Sequence, residues 1–197
     1  MIAMIQALSK SEAAYVAGLA PAVVDRAIDR VRFGRPYVEY GGRTRTVSPK
    51  GVFLIAADHL IAKDVAAAAR SKLRRYLESE LQRKPIEAMG VVIVPETAVP
   101  LRVDLSDIAD AVSRRLRNLE AALEHIAEVD EVQAGAPTFR GTRVLVRPVA
   151  AALTRGVKRD ELKTDYRLSD DQLDAALVYT EARPARGRPR STAALQT

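Results

Sequence analysis

The run Ser9-Lys10-Ser11-Glu12, with Gly18 and Pro21 after it, constrains the fold of this chain more than any other feature. Ser9 is a good helix N-cap, and Glu12 three residues on completes a capping box. A helix is therefore expected from about Lys10 to Ala17. Gly18 supplies a sharp turn, because a positive φ costs glycine nothing. Pro21 suits the first turn of a second helix, running from near Ala20 to about Arg32. On that helix Val23, Val24, Ala27, Ile28 and Val31 form one apolar stripe, and Ala22, Asp25, Arg26, Asp29 and Arg30 form the opposite face. Ala13, Ala14 and Ala17 are small enough for the two helices to cross closely.

Two helices joined at a glycine, with β-branched residues holding the second against the first, have the layout of a helix-turn-helix. Its outward stripe would enter the major groove. Arg26 and Arg30 are expected to reach guanine edges or phosphates, with Ala20 and Ala22 as small contacts beside them. Asp25 and Asp29 would meet cytosine amino groups or orient the arginines. An αα-hairpin that only packs is the plainer alternative. Tyr37-Val38-Glu39-Tyr40 and Arg43-Thr44-Arg45-Thr46-Val47 flank Gly41-Gly42, which signals a β-hairpin and thus a winged form of the motif. Arg43 and Arg45 would reach DNA backbone or minor groove, or else lie on a solvated strand face.

Beyond the hairpin, Ser48-Pro49 reads as an N-cap and first-turn proline, so 49–60 is helix or, as the rival, strand. Asp64 is expected to cap a helix to about Gln82, and Pro85 ends that pattern. Val91-Val92-Ile93-Val94 and Leu101-Arg102-Val103 read as short strands. A long amphipathic helix follows from about Ser106 to Glu128, with Ile108, Val112, Leu116, Leu119, Leu123 and Ile126 on one side. That spacing serves either a self-association seam or a plain core face. Next come a short strand at Arg143-Val144-Leu145-Val146, a helix opened by Pro148 and stopped at Gly156, a second helix over about Arg159 to Tyr166, and a third capped by Ser169 with Gln172 completing the box. The third helix is expected to bury Leu173, Ala176, Leu177 and Tyr179. Three short helices joined by tight turns resemble a homeodomain-like cluster. The fold class is mainly α with small β-hairpins, α+β: a winged helix-turn-helix domain at 1–84, linking strands and a long helix at 85–129, a trihelical module at 130–182 and a basic arm at 183–197 too polar to fold alone.

Charge narrows the partners. The net charge of +6 sits at the two ends: residues 1–50 carry eight Lys/Arg against four Asp/Glu, and the arm carries Arg183, Arg186, Arg188 and Arg190 with no acid. A polyanionic or acidic partner at each end is the natural reading. The chain has no cysteine, which removes disulfides and thiolate metal sites and suits a reducing cytosol. No apolar run reaches the ~18 residues of a membrane span. No cationic region precedes a long apolar stretch, so no secretion signal is expected and a cytoplasmic location is. Glycine-rich phosphate loops and serine elbows are absent, and His59 and His125 fall on predicted helices. The clusters Asp104-Asp107-Asp110 and Asp170-Asp171-Asp174 fall near helix N-termini, where carboxylates act as caps. No catalytic residue, metal or cofactor is expected.

Gly135, Pro137, Gly141-Thr142-Arg143-Val144, Gly156, Glu161-Leu162, Tyr166, Leu168, Ala175-Ala176-Leu177 and Tyr179 resemble the pattern of domain of unknown function 433, a family often found in bacterial toxin–antitoxin operons. Ala136 stands where that family often has Lys or Arg. Together with the helix pair at 8–33, the chain resembles VapB-family antitoxins. What this implies is a labile antitoxin that binds a PIN-domain ribonuclease toxin and represses its own operon as a homodimer on operator DNA. Under that resemblance the arm, Arg183, Arg186, Arg188 and Arg190, would clamp the toxin by pairing with its metal-binding carboxylates. The core Arg186-Gly187-Arg188-Pro189 also matches an AT-hook for the minor groove, and a merely solvated tail is the third reading. A transcription regulator or recombinase-accessory protein without a toxin, and a scaffold using its helices only for protein contacts, are the rival functions.

Overall fold

Side-chain caps at Ser9, Ser48 and Ser169 fix where three of the described helices begin. A computed structural model describes residues 5–31, 36–41, 44–94, 100–128 and 135–185. Helix α1 is Lys10–Ala17, and its capping box is complete: the Ser9 N–H donates to Glu12 Oε2 at 2.7 Å, and the Glu12 N–H donates to Ser9 Oγ. Gly18 ends it at φ +67°, in the left-handed region open to glycine. Helix α2 is Pro21–Val31. Strands β1 (Val38–Gly41) and β2 (Thr44–Val47) pair antiparallel, with Val38 opposite Val47 and Glu39 opposite Thr46.

Ser48 caps α3 (Pro49–Ile61) through the Gly51 N–H, which settles 49–60 as helix. Gly51 is buried where α3 passes the carbonyl of Tyr37, and a Cβ there would sit on that oxygen. Gly51→Ala is therefore expected to destabilise the fold by about 1–2 kcal/mol through overpacking, read as a lowered midpoint in urea with an unchanged slope.

Helix α4 is Ala67–Arg83 and has no side-chain cap. The expected Asp64 cap is a correction: the Asp64 and Val65 N–H groups bond back to Ile61 O, so Asp64 belongs to the turn closing α3. A short 3₁₀ turn, Ile86–Ala88, leads into β3 (Val91–Val94), which pairs antiparallel with β4 (Leu101–Asp104). Helix α5 is Ser106–His125. It stops short of Glu128 because Ile126 and Ala127 turn extended to form β5, paired with β6 (Thr138–Phe139). The strand expected at 143–146 is also corrected. Gly141 makes a turn, the Thr142 hydroxyl bonds Phe139 O at 2.9 Å, and Val144 N bonds back to that hydroxyl. Only Leu145 bridges to Thr138, and Val146 already begins α6 (Val146–Thr154).

Helix α7 (Arg159–Tyr166) and α8 (Asp170–Ala182) complete the C-terminal module, α8 with the expected Ser169–Gln172 capping box. Leu177 is exposed, against expectation. The buried stripe of α8 runs through Leu173, Ala176 and Tyr179 with Ala175 and Ala182, and Leu177 faces away from it. The described residues are thus mostly helical, with three small antiparallel strand pairs. None of their helices is long and apolar enough to cross a membrane.

Two cores lie side by side. One gathers Val24, Ile28, Phe53, Leu54, Ile55, Leu73, Leu77 and Val112. The other gathers Phe139, Val146, Val149, Leu162, Leu173 and Tyr179. Helix α5 belongs to both: Val112 and Leu119 pack in the first, and Ala122, with Ile126 just beyond, in the second. The apolar side of α5 is a core face, not a free seam.

Candidate nucleic-acid interface

Helix α2 shows the division that its sequence implies. Val24 and Ile28 are buried against α1 and α3, while Ala22, Arg26 and Asp29 are exposed and Asp25 is half-buried. Ala20, just before the helix, is exposed as well. The Arg26 Nε donates to Ala22 O at 3.1 Å, which lays its guanidinium along the helix with further donors to offer. The Arg30 side chain, all of Arg43, and Arg186, Arg188 and Arg190 lie outside the described residues.

Among the described residues, the two acids of this face pair with cations of neighbouring elements. Asp25 accepts from Lys10 Nζ of α1 at 2.6 Å, and Asp29 pairs with Arg45 of β2. The second pair ties the β1–β2 hairpin to the side of α2, and Arg45 also stacks over the Tyr40 ring at 5.8 Å. Lys10 was missed by the sequence reading. Its signal was present, as a cation on the first helix turn whose register faces α2, but only the crossing of the helices brings it to Asp25. Both pairs are exposed and worth at most about 1 kcal/mol each, so a phosphate can take Lys10 or Arg45 at small cost.

The same face opens onto a groove of about 1130 Å³ whose far wall belongs to the C-terminal module, through Pro137, Arg147, Tyr179 and Arg183. Arg183 does not trail away with the arm. Its Nε donates to Glu12 Oε1 at 2.7 Å and its NH1 to Glu128 Oε1 at 3.0 Å, and its guanidinium stacks on the Tyr179 ring at 5.5 Å. Arg147 covers the same ring at 5.8 Å and donates to Arg183 O at 2.8 Å. The Tyr179 hydroxyl donates to Glu128, and burial followed by that carboxylate pushes the phenol up. Glu12 is only 5 % exposed. Burial pushes its carboxyl up, but hydrogen bonds from Ser9 and the Arg183 guanidinium outweigh it and hold Glu12 below its ordinary value. Helix α1, the start of the arm and the C-terminal module are thereby locked together at one point.

Three members of the acidic clusters, Asp104, Asp170 and Asp174, bond within the fold. Asp104 Oδ1 accepts from the Ser106 N–H at 3.0 Å and its hydroxyl at 2.7 Å, fixing the start of α5. Asp170 and Asp174 pair with Arg159, and Asp170 also with Lys163. Among the described residues no group of three or more His, Asp or Glu side chains could hold a metal ion. His59 is exposed near the end of α3.

The chain is 29 % identical over 194 residues to a protein described as "Uncharacterized protein y4eO" from Sinorhizobium fredii (strain NBRC 101917 / NGR234), an alignment covering 96 % of this chain and 87 % of that protein. No solved structure matches. Residues 126–180, from β5 through most of α8, match the family described as "Protein of unknown function (DUF433)".

Proposed function

We propose that this chain is a type II antitoxin: a DNA-binding repressor of its own operon that neutralises a PIN-domain ribonuclease toxin by direct binding. The observation carrying the DNA half is the outward face of α2, solvent-exposed at Ala22, Arg26 and Asp29, with the β1–β2 hairpin fastened beside it through Arg45 and Asp29. A helix with one face in the core and the other open, flanked by a hairpin carrying a cation, has the parts of a winged helix-turn-helix. In this reading α2 enters the major groove, Arg26 and Arg30 read base edges, Lys10 and Arg45 take phosphates, and Arg43 serves the wing. One such helix reads too few base pairs for a selective operator, so the protein acts as a homodimer on a two-fold site.

The antitoxin half draws support from the match of residues 126–180 to a family that resembles modules of toxin–antitoxin operons, and from the arginine-rich arm following it. With Arg183 engaged by Glu12 and Glu128, the toxin-binding arginines of this proposal are Arg186, Arg188 and Arg190. Each is suited to a bidentate grip on carboxylates that would otherwise hold the nuclease metal.

Co-expression of the full chain with the product of the adjacent reading frame, followed by affinity purification, tests the proposal. A stable complex without ribonuclease activity is expected. Truncation after Ala185 is expected to restore the ribonuclease and leave the melting temperature of the free protein unchanged. No complex, together with retained binding to the upstream DNA, would make the protein a stand-alone regulator.

A further inference from the structure

Strand β3 is aliphatic on both sides, a composition that belongs to strands covered on both faces. Here only one face is covered. Val92 and Val94 turn into the core with Val103 of β4, whereas Val91 is 46 % and Ile93 53 % exposed. Two large aliphatic side chains on adjacent outward positions of one strand form a patch rather than scattered surface residues. The hairpin is also only two strands deep, a sheet that gains stability from a further covering layer.

The rest of the patch says what the cover is. The register sets Asp104 opposite Val91 and Arg102 opposite Ile93, and both charged residues are exposed on the same outward side. Asp104 is kept ionised by the Ser106 N–H and hydroxyl, which hold its carboxyl below the usual range. The tile therefore has an aliphatic column on β3 and, along β4, one positive and one negative charge two residues apart. Consider a two-fold axis in the contact plane, running across the strands. It lays Val91 of one copy over Ile93 of the other and Arg102 over Asp104, each contact occurring twice. A surface whose apolar and charged halves both complement themselves under a two-fold is what an isologous interface requires.

We infer that the outer face of the β3–β4 hairpin is the homodimer interface of this protein, with Val91 and Ile93 at its centre and reciprocal Arg102–Asp104 pairs at its rim. The choice of a second copy as occupant rests partly on the operator reading above, which asks for two recognition helices; the face itself is read from the hairpin alone. The other candidate for self-association, the apolar side of α5, is consumed by the two cores.

Sedimentation of the full chain without DNA tests the interface separately from operator binding. The wild type is expected to sediment at twice its 21.5 kDa chain mass. Ile93→Lys is expected to weaken the dimer by about a hundredfold or more and to sediment as a monomer, with unchanged circular dichroism because Ile93 is exposed and the protomer core is untouched. Leu60→Lys, at a similarly exposed leucine on α3, is expected to remain dimeric. A monomeric wild type, a dimeric Ile93→Lys or a monomeric Leu60→Lys would each overturn the assignment. A monomer that still bound upstream DNA through Arg26 would leave the DNA reading standing while removing this interface.

Discussion

Replacing Arg26 and Arg30 together by Ala is expected to lower affinity for the upstream DNA about thirtyfold or more, since each lost guanidinium–base contact is worth about 1–3 kcal/mol. Anisotropy titrations against specific and scrambled duplexes would measure it. The loss should fall mainly on the specific duplex, because Arg26 sits mid-face on α2 and not at the cationic edge supplied by Lys10 and Arg45. Lys10→Gln should instead weaken both duplexes and flatten the salt dependence by about one unit of slope, as expected of a phosphate contact. Neither substitution touches the core, so the melting temperature should hold. If the double arginine variant bound the specific duplex as tightly as the wild type, α2 would not be the recognition helix.

Asp25 and Asp29 refine this expectation. Their partners come from α1 and β2, so in the free protein both acids of the α2 face are already paired with cations. Meeting DNA means exchanging two weak surface pairs for phosphate contacts. Asp29→Asn should therefore raise affinity for scrambled DNA by freeing Arg45, at the expense of selectivity. A like-charge carboxylate next to a phosphate discriminates by repulsion, and its removal relaxes that discrimination.

How far the sequence carried depends on the range of each interaction. The Ser9–Glu12 and Ser169–Gln172 boxes, the Gly18 turn and the pairing of β1 with β2 are each settled within a few residues and read correctly from the letters, and the Ser48 cap decides for helix where the letters left a strand open. The exposure of the α2 face follows from helical periodicity, again a local property. The failures are non-local. The β5–β6 pair joins two-residue strands whose individual signal is negligible, and it exists because α5 delivers Ile126 beside Phe139. Asp64 resembled a cap because nothing nearby announces that its backbone is taken by Ile61. Leu177 fitted an apolar pattern that the packing of α8 rotates out into solvent. The partners of Asp25 and Asp29 lie 15 and 16 residues away, and Arg183 meets Glu12 across 171 residues. No spacing rule reaches that far.

That last contact carries the second large effect. Arg183→Ala is expected to destabilise the protein by about 2–3 kcal/mol at pH 7. Removing one partner of a buried, hydrogen-bonded charge pair leaves the other charge uncompensated, and the half-exposed position of Arg183 places the cost toward the lower end. Glu12 would keep its Ser9 hydrogen bonds but lose the guanidinium, while Glu128 and the Tyr179 ring would lose their shared cation. For a chain of this size the loss amounts to roughly 5–10 °C in melting temperature. The pH dependence identifies the cause. In the wild type the Glu12 carboxyl is held below its ordinary value, so its contribution is fully present above the unfolded carboxylate value of about 4.3 and fades as pH falls through the lower folded one. Without Arg183 the Glu12 value lies above that of the wild type, so that variant loses less by protonation. The gap between the two proteins should be widest near neutrality and close below about pH 4. A gap that stayed constant from pH 7 to pH 3 would assign the effect to lost packing of the arginine stem on Tyr179 and not to Glu12. Truncation after Ala185 should show neither the loss nor the pH dependence. Arg183 thus belongs to the fold, where it fastens helix α1 to the C-terminal module.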